Sequence, residues 1–323
     1  MDVSITIVNW NQTTLLEECL RSIFATPRTV QYEVIVIDNA SEDDSVSMVR
    51  ARYPQVWLIC NSRNLGFGRA QNQAMAVAQG RYVLLLNNDA TVQPDTIPTL
   101  VQFMDQHPKV GSCSCPDYRQ AALGTAQSGA FRRFPSLGRT LMENLWAVFR
   151  PPRNWDLRWL ATPVHRWLGE ELTEADALEV AWVVGALLFV RKEVLEQVGG
   201  FDERFFLFDE DIDLCRRIWA TGWTVAFTTT TSFAHQGGAS SALRGDIERI
   251  RGESRAWYFR KYYGRMTTVL FRIQHYVLRI CLLSWRRQFE YTMNRRSSGI
   301  EAHRNRGHRS LLQRGEIDQK RKQ

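Results

Sequence analysis

Short, mostly apolar runs alternate with longer amphipathic segments over the first third of the chain. The runs are Val3–Val8, Glu33–Ile37, Val56–Cys60, Tyr82–Leu86 and Val110–Cys115, and the segments between them, 12–25, 43–52, 69–79 and 95–106, carry apolar residues at helical spacing. Continuous apolar runs of this length mark strands buried on both faces. Their alternation with helices of about 10 to 15 residues predicts a parallel sheet wound by right-handed crossovers. From 116 to about 180 the periodicity lapses, and Trp146, Pro151, Pro152, Trp155, Trp159 and Trp167 crowd the segment. An irregular insertion, or short helices forming one wall of a cleft, is expected there. Val180–Val190 returns as an apolar strand interrupted at Gly185-Ala186, followed by a helix over 211–220, a strand over 224–228 and a helix over 245–263.

Two polar interruptions of this pattern carry chemistry. Asp209-Glu210-Asp211-Ile212-Asp213 packs four carboxylates into five positions, directly after Phe205-Phe206-Leu207-Phe208. A helix N-terminus, with Asp209 or Glu210 as cap, accounts for one or two acids but not four. Repulsion and partial burial raise the pKa of at least one acid in such a cluster, which suits a general base or a cation site. Upstream, the run ending at Leu86 stops abruptly in Asn87-Asn88-Asp89. The triplet is good turn chemistry, and it also stands where open α/β sheets bind ligands, beyond the C-terminal ends of their strands.

Charge divides the chain. Of its 323 residues, 265–323 hold 14 Lys and Arg against 4 Asp and Glu, leaving 27 against 30 in residues 1–264. A mildly acidic body with a basic tail points the tail at phosphate-bearing surfaces, membrane or nucleic acid. The six cysteines show no C-x-x-C pair and read as reduced core residues of a cytosolic protein. The chain enters its first apolar run directly after Met1-Asp2, so no signal peptide is expected. Gly66-Phe67-Gly68 follows the third strand and has Gln71 where a third glycine would stand, which rules it out as a dinucleotide fingerprint.

The motifs in order are Ile7-Val8-Asn9-Trp10-Asn11, Val34–Ser41, Asn61–Asn64 with Gly66-Phe67, Leu86–Asp89, Gly199–Glu203, Glu210–Cys215 and His235–Ser240. Together they resemble the family 2 glycosyltransferases, particularly the rhamnosyltransferase-like branch, over about residues 3–264. The resemblance implies an α/β fold of the GT-A type, binding a nucleotide sugar on a mostly parallel central sheet. It divides the chain into a transferase domain over 1–264 and a partly disordered, basic amphipathic helical tail over 265–323. Within the domain, 1–115 is the nucleotide-binding half, 116–180 a variable acceptor-side insertion and 181–264 the half with the catalytic base.

By the same resemblance Asp38 accepts the N3–H of a pyrimidine base, Asp89 holds Mg²⁺ or Mn²⁺ against the diphosphate, and Asp211 is the base, with Glu210 beside it. Asn9, Asn11, Asn64, Gly66, Asn72 and Asn88 line the donor pocket. Trp182, Gly185 and Asp209 fall on the acceptor side. His235 is placed near the diphosphate or metal, and a histidine before a glycine pair reads equally as an ordinary loop residue. Many members of the fold carry Asp-x-Asp where this chain has Asn87-Asn88-Asp89, so a single carboxylate remains for the cation. One base without a carboxylate nucleophile fits single displacement with inversion. The implied donor is a dTDP- or UDP-sugar, rhamnose favoured, and the implied acceptor a glycan or polyprenyl-linked sugar in cell-surface polysaccharide synthesis.

In the tail, Arg272, His275, Arg279 and Arg286 recur among apolar residues. That spacing predicts either a helix lying on an anionic membrane at the cytoplasmic face or one packed on the body. The basic stretch Arg295–Lys322 favours the membrane. No nucleic acid is expected, because the tail lacks the aromatic interleaving of a single-strand binder. The competing reading is a catalytically silent nucleotide-sugar-binding module, or a binding protein associated with membrane or nucleic acid. Retention of Asp38, Asp89 and Asp211 weighs against silence.

Overall fold

The computed structural model describes residues 1–27, 29–119, 130–131, 133–142, 177–237 and 245–277. Trp146, Trp155, Trp159, Trp167 and the stretch Arg295–Lys322 lie outside them. The first half follows the apolar pattern: β1 (Val3–Asn9), α1 (Thr13–Phe24), β2 (Tyr32–Asp38), α2 (Ser45–Arg52), β3 (Trp57–Cys60), α3 (Phe67–Val77), β4 (Tyr82–Asn87), β5 (Ala90–Val92), α4 (Thr96–Gln106) and β6 (Val110–Ser114). β1 pairs in parallel with β2 and β4, and β2 with β3. Helices on both faces bury these strands; α1 contributes Leu16, Cys19, Leu20 and Ile23 from one face. The polar residue Ser4 is tolerated inside because its hydroxyl donates to Glu33 at 2.6 Å and accepts the Gly80 N–H at 2.8 Å.

The second half adds β7 (Ala130–Phe131), β8 (Ala177–Glu179), β9 (Trp182–Val183), β10 (Leu187–Arg191), α5 (Lys192–Val198), α6 (Glu210–Ala220), β11 (Thr224–Thr228) and β12 (Phe233–His235). The expected strand over 180–190 is two, β9 and β10, parted at Gly185-Ala186. β10 runs antiparallel between β4 and β6, giving the eight-stranded order β3-β2-β1-β4-β10-β6-β11-β8. The sheet is therefore mostly parallel with a reversed strand near its middle. β12 pairs with β5 in a separate two-stranded piece.

Residues 247–277 are helical, with Gly264 at φ +83° among them. A straight helix would separate residues 259 and 271 by about 18 Å, yet the rings of Phe259 and Phe271 lie 5.1 Å apart. A side chain on Gly252 would meet His275 at 3.2 Å. The chain thus reverses at Gly264 into a helical hairpin. Its first leg is bound to α6 through fully buried Asp213, which accepts from Lys261 at 2.6 Å, Arg217 at 2.7 Å and Tyr262 at 2.8 Å. The tail helix packs on the body through Phe271 and Thr268, as the second of the two readings expects, and also keeps an exposed apolar face.

Four of the five described cysteines are buried and unbridged, as a reduced core requires, whereas Cys60 is exposed at the end of the edge strand β3.

Candidate active site

A cavity of about 250 Å³ opens beyond the C-terminal ends of β1 and β4, bounded by Asn88 and Asp89 on one side and by Gly185, Glu210 and Asp211 on the other. The strand tips are tied by buried polar groups. Asn88 Nδ2 donates to Asn9 Oδ1 at 2.8 Å, and Asn9 Nδ2 donates in turn to Asp38 Oδ1 at 3.3 Å. Asp38 also accepts the Ser41 N–H at 2.9 Å. This chain of bonds has one direction, set by a carboxylate that only accepts. It leaves Asn88 Oδ1 unspent among the described residues. Asp38 and Asn9 are both buried behind the lining, which Asn39 and Asn88 reach on their behalf.

Asp89 is held by His235, whose Nε2 stands 3.0 Å from Asp89 Oδ1. β5 and β12 bring the two together across 146 positions of chain through the pair Ala90 and His235. Among the described residues no group of three or more His, Cys, Asp or Glu side chains forms a metal cluster. Asp89, His235 and the Asn88 carbonyl oxygen still fit a cation that draws its other ligands from phosphates and water, as Mg²⁺ commonly does.

Asp211 enters from the first turn of α6. Its Oδ2 accepts the Gly185 N–H at 2.8 Å and its Oδ1 the Ile212 N–H at 2.8 Å. Burial pushes its pKa up to about 6, against the pull of those two amides. Burial and then the neighbouring Asp211 raise Glu210 well above its ordinary value too, and its Oε2 has no partner among the described residues. Phe206, Leu207 and Phe208 line the cavity and supply the apolar surroundings expected of the aromatic run, while Phe205 packs into the core with Ile212 and Tyr258.

Several residues expected at the donor or acceptor are bonded to protein groups and do not line the cavity. Asn72 points to a turn behind the cavity, donating to the Phe201 carbonyl at 3.0 Å and accepting its N–H at 2.8 Å. Asn11 takes a left-handed conformation at φ +52° and its side chain accepts the Glu42 N–H. Asp209 is outside the cavity lining, and Arg255 grips both its oxygens, at 2.6 and 2.9 Å. Trp182 donates to the Arg133 carbonyl, packs beside Phe205 and is not among the residues lining the cavity. Gly66 and Asn64 do line the cavity, but the close approach that Gly66 permits is to a protein backbone, since a Cβ there would meet the Phe206 carbonyl at 2.6 Å. Gly185 makes room for Asp211, because a Cβ would stand 3.2 Å from that of Asp211.

Trp10 and Asn39 line the cavity and were not singled out from sequence. Asn39 joins the loops by donating to Asn64 and to the Gly66 carbonyl, each at 3.1 Å, and accepting from Asn61 and the Leu65 N–H. Its place directly after Asp38 in a strand-end motif was the available signal.

Comparison with known proteins covers most of the chain. The profile described as Glycosyl transferase family 2 matches residues 4–158, and Glycosyl transferase family group 2 matches 82–289. The N-acetylglucosaminyl-diphospho-decaprenol L-rhamnosyltransferase of Mycobacterium tuberculosis is 32% identical over 232 residues, which are 68% of this chain and 71% of that one. Rhamnosyltransferase WbbL of Escherichia coli is 25% identical over 164 residues, 49% of this chain and 55% of its own. Among solved structures, mannosyltransferase PcManGT from Pyrobaculum calidifontis, in complex with GDP-Man and Mn²⁺, matches with a TM-score of 0.51 at 17% identity, covering 84% of this chain and 73% of that one. S. aureus TarS 1-349, in complex with UDP-GlcNAc, gives 0.51 at 14%, covering 86% and 73%. These two share the GT-A fold.

Proposed function

Because this chain belongs to glycosyltransferase family 2 and is a glycosyltransferase of cell-surface polysaccharide synthesis, we propose that it transfers rhamnose, with inversion, from a dTDP- or UDP-linked donor to a polyprenyl-diphosphate-linked sugar. The observation that carries the reading is the meeting of Asp211 and the Asp89–His235 pair across one cavity at the strand ends. The named activity of the M. tuberculosis relative supports the choice of sugar and acceptor. Asp38, at the tip of β2, orders Asn9 and Ser41 on the side where a pyrimidine base would be read. Asp89 and His235 would hold Mg²⁺ or Mn²⁺. The cation would supply positive charge to the departing diphosphate.

Asp211 takes the proton of the acceptor hydroxyl, its lone pairs aimed by the amides of Gly185 and Ile212. Burial and the adjacent Asp211 favour the neutral form of Glu210, which in that form can donate a hydrogen bond into the same space. Asp89 is engaged by His235, which leaves Asp211 as the carboxylate offered to the acceptor, an arrangement that suits a single displacement. Phe206, Leu207 and Phe208 keep water from the donor. Such an enzyme works at the cytoplasmic face of a membrane, with the basic residues after 264 drawn to anionic lipid; no helix among the described residues is long and apolar enough to cross it.

The test is transfer from a panel of nucleotide sugars to a polyprenyl-diphosphate sugar, with product configuration read by NMR, in excess Mg²⁺ and in excess chelator. Transfer of rhamnose with inverted configuration, lost in chelator and in Asp89→Ala, is expected. Donor binding without turnover on any acceptor would favour a silent binding module, and full activity in chelator would remove the cation from the reading.

A further inference from the structure

The outer leg of the helical hairpin leaves one face without a partner among the described residues. Met266, Val269, Leu270, Ile273, Tyr276 and Val277 follow helical spacing and are all exposed, Met266 and Tyr276 by 73% and 70%. The opposite face of the same leg is buried on Phe259 through Phe271. Beside the exposed stripe lies a cleft of about 600 Å³ that gathers Arg204, Arg260, Arg265 and Arg272. Arg204 stacks over Trp257 at 4.4 Å and reaches Asp202 at 3.4 Å, whereas the other three have no acidic partner among the described residues. The acid in the cleft, Glu253, is taken by Arg249 at 2.9 Å.

We propose that this face is a membrane-docking surface, in which the stripe enters the acyl boundary of an anionic bilayer while the arginine cleft takes lipid phosphates. The proposal rests on the reading of a membrane-borne acceptor and names the surface that would meet the lipid. Charge selects the occupant. A second copy of the chain meeting this face across a two-fold axis would set one arginine cleft against another. A bilayer offers the complementary pair, an apolar layer under a layer of phosphates. The chain beyond residue 277 continues the match with 12 Lys and Arg against 4 Asp and Glu. The stripe spans about 17 Å at 1.5 Å per residue, long enough to lie in the interface and too short to cross it.

The test is co-sedimentation of the full-length protein, without donor or acceptor, with phosphatidylcholine vesicles containing phosphatidylglycerol and with phosphatidylcholine alone. Wild type should bind only the anionic vesicles, and less at high salt. Val269→Glu with Ile273→Glu should lower partitioning at least tenfold, and replacing Arg260, Arg265 and Arg272 by Ala about fivefold per arginine. Melting temperature and donor affinity check that each variant is folded. A folded stripe variant that sediments like wild type would overturn the proposal and assign the binding to residues after 277. So would a wild-type dimer that the stripe variant dissociates with no change in vesicle binding. Either result leaves the transferase reading standing, since nothing in the assay depends on turnover.

Discussion

Asp211 and Gly185 lie 26 positions apart in sequence and act as one unit, a carboxylate and the amide that aims it. Asp211→Asn keeps the shape and removes the base, so kcat should fall by about 10²-fold or more with donor affinity retained. Gly185→Ala is the subtler probe, since its methyl must push against the Asp211 side chain. Turnover should drop while the Asp211 carboxylate remains, a split that pre-steady-state kinetics can read. The pKa of Asp211 stands above the ordinary carboxylate value because burial disfavours its charged form. A base must be deprotonated to work, so kcat/KM should rise with pH and level off above about 6; Asp211→Asn should lose that limb. The acidic cluster was legible in sequence as a place of interest, but not its division of labour: Asp209 and Asp213 are taken up in ion pairs, whereas Glu210 and Asp211 face the cavity. Gly185 was read as part of the acceptor wall, because a glycine's sequence neighbours do not reveal which distant side chain its missing Cβ makes room for.

Among the elements, the loop before α6 holds two consecutive left-handed residues, Phe208 at φ +72° and Asp209 at φ +63°. Such a conformation is costly for a side chain the size of Phe, and the first leg of the hairpin holds it in place. Arg255 clasps Asp209, the Ser254 hydroxyl donates to the Leu207 carbonyl at 2.7 Å, and the Arg251 guanidinium lies 4.6 Å from the Phe208 ring. Arg255→Met leaves Asp209 buried and unpaired and should cost about 3 kcal/mol in urea unfolding. Turnover should fall with it, while donor affinity, set at the β1, β2 and β4 tips, holds. Adding Asp209→Asn should restore part of the stability. The short strands β5, β7, β8 and β12 and the helix α5 were too brief to show a period, whereas the long strands and most helices were readable from periodicity. The clasp was not, because a long-range ion pair leaves no spacing signal, and Asp209 looked like one more acid of the cluster. The sequence marks a break at 264, where the body ends and the tail begins; that the chain doubles back there is shown by the ring contacts across the turn.

At the scale of the whole molecule, sequence supported a parallel sheet but not the direction of β10, because an apolar run buried on both faces reads the same either way. That reversed strand has a consequence for how the chain comes off the ribosome. β4 ends at Asn87 and its outer neighbour begins only at Leu187, so the edge of β4 has no sheet partner until about 100 further residues have been made. At about 5 to 20 residues per second that is on the order of 5 to 20 s, during which an apolar strand presents open hydrogen-bonding groups. A nascent chain stalled before residue 187 should therefore be sticky, and a purified fragment 1–119 should aggregate where 1–277 stays dispersed. Light scattering of the two would check it, and a well-behaved fragment 1–119 would show that the donor half closes its own edge. Assembly of this enzyme is thus timed by translation: the strand that joins Asp89 to Asp211 is also the one that ends the exposure.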